Sequence, residues 1–262
     1  MEIALSVVVP TRDRPILARR ALTSIAKQGR DDIEVVMVDD GSRARYDLNG
    51  IIHPSRLTSI RNEASGGAAA ARNSGIQMAK GKWIAFLDDD DEWEDGFVDA
   101  TLTRLEGVES SMVFSWCSIN NVCYDTNGGI TEHRARVFKA IYDEREQLFS
   151  EALSIGTSWG LTVNRRCFDE VGLFDPSYKL TEDTEFIFRL LSRGCEPVVV
   201  PEILVKIHNH SDEARLSSIK RNPDRISECK RLMNEYSEFM CRYPMARDGL
   251  RSHIVKLENG DQ

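Results

Sequence analysis

Short apolar runs alternate with stretches whose apolar residues recur at helical spacing through the first half of the chain. LSVVVPT (residues 5–11) is a continuous apolar run of strand length, and the stretch after it carries Ile16, Leu17, Ala21, Leu22 and Ile25 at helical spacing. IEVVMVDDGS (33–42) predicts a second strand, LTSI (57–60) a brief third, and KWIAFLDDDD (82–91) a fourth. Between the last two, GGAAAARNSGIQMAKG predicts a helix opened by Gly66 and Gly67 and closed by Gly81. This alternation is the mark of strand–crossover–strand units, so the expected class is α/β with a mostly parallel central sheet flanked by helices.

The second half is less regular. FVDATLTRLEG (97–107) predicts a helix and MVFSWCSINNVCYD (112–125) a longer, more exposed strand. From 126 to 150 the pattern loosens into a loop followed by a helix over DEREQLFSEAL. Strand, short helix, turn, helix and strand then follow up to residue 211, and TEDTEFIFRLLSRG starts at Thr181 as a capping residue and stops at Gly194. Beyond 211, Ile226, Cys229, Leu232, Met233, Tyr236, Phe239 and Met240 share one helical face, with a fraying end.

Two strands end in acids. In an open α/β sheet ligands bind outside the carboxyl ends of the strands, where strand order reverses, so Asp39, Asp40, Asp88, Asp89, Asp90 and Asp91 are expected to converge there. Adjacent carboxylates resist burial without a positive partner. Hard oxygen ligands of this kind suit Mg²⁺ or Mn²⁺ bridging a substrate's phosphates, and a solvated acidic loop is the plain alternative. A helical-hand calcium loop is excluded because Trp93 stands where its glycine is needed. Asp-Gly-Ser after the second strand also serves as an ordinary turn, and Glu182, Asp183 and Glu185 also suit a helix dipole.

Composition narrows the classes. The chain has 262 residues, 41% apolar and 29% charged, which fits one large domain with a sizeable core. A net charge of -8 argues against a nucleic-acid binder. Six scattered cysteines without a CxxC pair favour a reducing compartment. The start reads as a strand and no run has the length of a membrane span, so a cytoplasmic protein is expected, with peripheral attachment at the inner face of the membrane left open. The tail helix mixes Glu228, Glu235 and Glu238 with Lys230 and Arg231, which favours packing or a homodimer over a membrane surface. No Walker loop, full GxGxxG or serine elbow occurs.

VVVPTRDRPILARRALTSIAKQ, EVVMVDDGS, ARNSGIQMAKGKWIAFLDDDDEW, VGLFD, TEDTEF and the late HNH, in this order, resemble the inverting family 2 glycosyltransferases. The resemblance spans residues 5–211 and implies the GT-A fold, with its Rossmann-like sheet, and a C-terminal helical tail. It implies a nucleotide-binding half (1–110), an acceptor and catalytic half of the same domain (111–211), and a helical tail (212–262). It implies a nucleotide-sugar donor, UDP-linked for preference, a cofactor Mn²⁺ or Mg²⁺, and a saccharide, lipid-linked or protein-linked acceptor. Pro10, Arg12, Asp39 and Asp40 map onto the nucleotide pocket, Asp88 and Asp89 onto ribose or supporting contacts, and Asp90 onto the metal. Asp183 maps onto the catalytic base with Glu182 in reserve, and His208, or His210, onto a metal or diphosphate contact. Trp159 is a candidate for sugar stacking, and Arg72, Asn73, Arg165 and Arg166 are weaker candidates. A nucleotidyltransferase of related architecture and a non-catalytic nucleotide-sugar-binding protein remain the alternatives; a nucleotidyltransferase would want a glycine-rich basic loop where PTRDRP stands.

Overall fold

The computed structural model describes residues 2–53, 56–210 and 222–259, with the side chain of residue 210 left aside. Its first half runs β1 (Leu5–Thr11), α1 (Pro15–Ala26), β2 (Ile33–Asp39), β3 (Leu57–Arg61), α2 (Ala68–Met78), β4 (Trp83–Phe86), β5 (Glu92–Trp93) and α3 (Phe97–Glu106). Its second half runs β6 (Val113–Tyr124), β7 (Ile130–Arg136), α4 (Arg145–Ala152), β8 (Thr162–Asn164), α5 (Arg165–Val171), α6 (Glu182–Ser192) and β9 (Glu196–His210). Three helices follow, α7 (Pro223–Glu235), α8 (Ser237–Arg242) and α9 (Pro244–Asn259).

The strands form one curled mixed sheet in the order β3-β2-β1-β4-β8-β6-β9-β5, with β7 added on β6. The first four are parallel, and Thr11 pairs with Asp39 in register, so β1 and β2 end together. The chain leaves β1 toward β2 and β3, then crosses back to lay β4 on the other side of β1, which is the strand-order reversal where ligands gather. Period-two alternation sends Val8, Val36, Val38, Ile84 and Phe86 into one core and Leu5, Val7, Val9, Val35, Met37 and Ala85 into a second on the opposite face.

Where strands are buried on both faces the pattern located them well, and the differences have physical causes. β8 is antiparallel to both β4 and β6, so the second half of the sheet is mixed. β7 was expected as loop: ITEHRAR is exposed along almost its whole length, so no apolar alternation marks it, and only its pairing with β6 shows it to be a strand. β6 was expected to be exposed, yet its first seven residues are buried because strands flank it on both sides. Ile16 is 82% exposed despite its helical spacing, whereas Ala21, Leu22 and Ile25 are fully buried.

Gly81 does not close α2, which is capped at Ala79; a Cβ on Gly81 would stand 2.6 Å from the Ser6 backbone nitrogen, so glycine is required by close approach to β1. Gly67 holds the N-cap of α2 at φ 85°, as its type allows. Thr181 is the N-cap of α6, but its hydroxyl donates to Glu228 instead of accepting from the helix.

The tail is three helices where one was expected, broken at Tyr236 and again before Pro244, and α9 is an ordered helix where fraying was expected. Cys229, Leu232, Met240, Leu250, Ile254 and Leu257 pack with Tyr178 and Phe188 into a third core that fastens the tail to α6. The expected boundary at 211/212 lies outside the described residues.

Candidate active site

The carboxyl ends of β1, β2 and β4 face the start of α6 and the tail across an open cleft of about 1000 Å³. Pro10, Arg12, Asp40, Asp88, Asp89, Asp90, Glu182 and Asp183 all line it, whereas Asp39 and His208 do not.

The acidic run is a tight turn, closed by the Asp91 N–H donating to the Asp88 carbonyl, and its carboxylates face different partners. Asp88 accepts from Arg72 at 2.8 Å, and Asp89 accepts from the Thr11 hydroxyl at 2.6 Å. Arg14 spans the next two, 3.2 Å from Asp89 and 3.1 Å from Asp90. Asp91 accepts from the His208 backbone N–H at 3.1 Å. Burial pushes the Asp89 carboxyl up to about 7, against the pull of Arg14 and Thr11. Arginines therefore stand beside three of the four adjacent carboxylates, and a backbone N–H serves the fourth.

Asp40 is buried, and its carboxylate accepts from the Asn62 amide, the Ser65 hydroxyl and the backbone N–H groups of Gly66 and Gly67 at 2.7–3.1 Å. Burial works against the charge, but these donors outweigh it and hold the carboxyl below the usual range. Asp40 thus fixes the turn that enters α2. Asp39 accepts from the Ser42 N–H and faces Arg61, beneath the cleft floor.

At the start of α6, Glu182 and Asp183 have different surroundings. Arg72, fully enclosed, donates to Glu182 at 2.7 Å as well as to Asp88, so it ties α6 to the end of β4. Asp183 Oδ1 accepts from the Thr184 N–H at 2.7 Å, while its Oδ2 accepts no hydrogen bond among the described residues. That oxygen faces Gly156, where a Cβ would come to 3.5 Å from it. Burial raises the pKa of both carboxyls, with Arg72 pulling the other way. Asp183 is thus the half-buried carboxylate with an oxygen turned to the cleft.

His208 stands beside the acidic run, but its Nδ1 is 2.7 Å from the Tyr124 hydroxyl and its Nε2 is 2.8 Å from Glu92. Burial, with Arg20 nearby, lowers its pKa, and a neutral ring donating from Nε2 satisfies both contacts. The ring nitrogens of His208, expected at a metal or diphosphate, are here engaged by Tyr124 and Glu92. The His210 side chain lies outside the described residues. Among the described residues no three His, Cys, Asp or Glu groups gather into a metal cage. Of the acidic run, Asp90 lines the cleft and is paired with the half-exposed side chain of Arg14, so it is the carboxylate that could hold a hard cation there.

Trp159 lines the cleft with the Arg136 guanidinium 4.9 Å over its ring. Asn73 exchanges two hydrogen bonds with the Phe174 backbone and is a packing residue. Arg165 and Arg166 line a separate hollow near Trp83. The sequence reading missed Arg14, Arg136, Lys179, Arg225, His253 and Lys256, which also line the cleft. Arg14 sits two residues past Arg12 in PTRDRP and was within reach of that motif; the others come from an unmarked strand, a turn and the tail.

Comparison with known proteins gives the family and the fold. The family described as Glycosyl transferase family 2 matches residues 6–172 of the chain. WcaA of Escherichia coli (strain K12), whose name provisionally assigns it to colanic acid biosynthesis as a glycosyl transferase, is 29% identical over 227 residues, covering 83% of this chain and 77% of its own. A glycosyltransferase of Haemophilus influenzae without a characterised activity is 26% identical over 224 residues, covering 83% and 72%. The crystal structure of S. aureus TarS 1-349 in complex with UDP-GlcNAc superposes with a TM-score of 0.64 at 18% identity, covering 88% of this chain and 67% of that one, which shows the GT-A fold. A complex of the same fragment with UDP gives 0.62, and this chain spans only 39% of the longer TarS structure. With its fold and most of its length matched, the chain belongs to glycosyl transferase family 2 and is a glycosyltransferase.

Proposed function

We propose that the enzyme transfers a sugar from a UDP-sugar to an acceptor hydroxyl with inversion at the sugar carbon, in polysaccharide or glycoconjugate assembly. The observation that carries this reading is Asp183: a carboxylate with one oxygen anchored at a helix start and the other turned into the cleft that holds the acidic run. Inversion in a single displacement needs one base to take the acceptor's proton as its oxygen attacks, and a raised pKa suits that task near neutral pH. Glu182, held by Arg72, keeps that base in place instead of sharing its role.

The donor side is proposed at the ends of β1, β2 and β4, where Pro10, Arg12 and the turn fixed by Asp40 receive the nucleoside, and Asp88 and Asp89 border the ribose. The TarS complexes with UDP and UDP-GlcNAc support the choice of nucleotide by fold similarity. Asp90 would hold Mn²⁺ or Mg²⁺ together with the donor's diphosphate. When bound, such a cation offsets the negative charge that grows on the departing diphosphate. Arg14, 48% exposed at its side chain, is positioned to yield its place beside Asp89 and Asp90. The free cysteines fit a reducing cytoplasm, and among the described residues no helix is long and apolar enough to cross a membrane.

The test is product analysis with UDP-sugars and a mixed acceptor extract, comparing wild type with Asp183→Asn. Release of UDP with label passing to an acceptor, abolished by Asp183→Asn while UDP still binds, is the expected result. Pyrophosphate release from UTP, or transfer untouched by the substitution, would overturn the reading.

A further inference from the structure

Basic side chains gather on the tail side of the cleft. On the donor side Arg14 pairs with Asp89 and Asp90 and Arg72 with Asp88 and Glu182, while Arg12 lines the cleft without an ion pair among the described residues. On the tail side Lys179, His253 and Lys256 also line the cleft, yet none has a hydrogen bond or ion pair from its side chain among the described residues. In a chain of net charge -8 that pairs so many of its arginines, three basic groups left facing one cleft call for a reason.

His253 and Lys256 stand three residues apart on α9, and all three basic residues line the same cleft as Asp183. Lys179 directly precedes the turn into α6, and its backbone N–H donates to Glu228 on α7. Arg225, one turn earlier on α7, acts electrostatically on Asp183 and on His253, and Lys256 acts on His253 as well. Burial and these two cations lower the His253 pKa, which is what a ring crowded by positive charge does. Glu228, the carboxylate closest to Lys179 along α7, is already engaged by the Lys179 and Leu180 N–H groups and the Thr181 hydroxyl.

We infer that the acceptor carries a negative charge, a carboxylate or a phosphate, close to the hydroxyl that receives the sugar, and that Lys179, His253 and Lys256 bind it. This rests on the proposed role of Asp183, because the group is placed relative to that base. The acceptor class is a uronic-acid-bearing saccharide or a sugar phosphate. The tail helices then select the acceptor, which explains their firm packing on α6.

The test titrates the full chain, saturated with UDP, with paired analogues: methyl glucuronide against methyl glucoside, and glucose 6-phosphate against glucose. One charge-assisted contact predicts that at least one anionic member binds about tenfold tighter than its neutral partner. Which pair shows the preference distinguishes carboxylate from phosphate, and the preference should vanish in Lys179→Ala/Lys256→Ala. Binding that fails to distinguish the members of both pairs, absent binding included, or a preference that survives the double substitution, overturns the inference. Transfer in Asp183→Asn reports on the base separately, since the analogue preference is read from binding alone.

Discussion

Arg72 donates to Glu182 at 2.7 Å across 110 residues of sequence, and its other amino group reaches Asp88 at 2.8 Å. One enclosed guanidinium therefore joins the acidic turn after β4 to the helix that carries Asp183. Breaking an enclosed pair strands a charge, so Arg72→Met should cost about 3–5 kcal/mol in denaturant unfolding. Adding Glu182→Gln should restore much of that stability without restoring transfer, because the link to Asp88 is still missing. Full recovery of activity in the double variant would contradict a positioning role.

Asp183 sets activity against stability. Its folded pKa is raised, chiefly by burial, so the folded state holds the proton more tightly than the unfolded chain does. The ionised form needed for catalysis is therefore penalised above that pKa, and the penalty is absent at pH below the ordinary carboxylate value of about 4. Asp183→Asn should raise the melting temperature at pH 7, lose that advantage at pH 3, and reduce kcat by about 10²- to 10⁴-fold. In wild type the acid limb of kcat/KM should lie above the range of an exposed aspartate.

Asp40 has the opposite sign. Its donors outweigh its burial and lower its pKa, so it stabilises the fold at pH above the unfolded value and loses that contribution as pH falls through the folded one. Asp40→Ala should cost about 3 kcal/mol at pH 7. The difference from wild type should shrink in acid. A pH-independent difference would mean that the charge is not what the turn uses.

Gly156 keeps space open before the base. A Cβ there meets Asp183 Oδ2 at 3.5 Å and Trp159 at 3.6 Å, ordinary contacts, so Gly156→Ala should change stability by less than about 1 kcal/mol. A longer chain would fill the approach to Oδ2. Gly156→Leu should lower transfer about 10²-fold while UDP affinity holds; unchanged transfer would place the acceptor elsewhere.

What the sequence displayed follows from where burial is two-sided. β1, β2 and β4 are enclosed on both faces, so their apolar runs were legible, and with them the acids Asp40 and Asp88 to Asp91 that line the cleft. β7 was not, because an exposed strand held only by β6 bears no alternation, and Arg136 came with it. The tail showed an apolar face but not its breaks, so the placement of Arg225, His253 and Lys256 in the cleft could not be read. Nor could the ring contacts of His208, which depend on Tyr124 and Glu92, residues far from it in sequence.

Calorimetric titration with UDP, GDP, dTDP and CDP, with and without Mn²⁺, on wild type and Asp90→Asn, tests the central claim most directly. The account predicts that UDP alone binds tightly, that Mn²⁺ strengthens it, and that Asp90→Asn removes the strengthening. Binding that ignores Mn²⁺ and the substitution, or no nucleotide binding at all, would contradict a donor site built on the acidic turn.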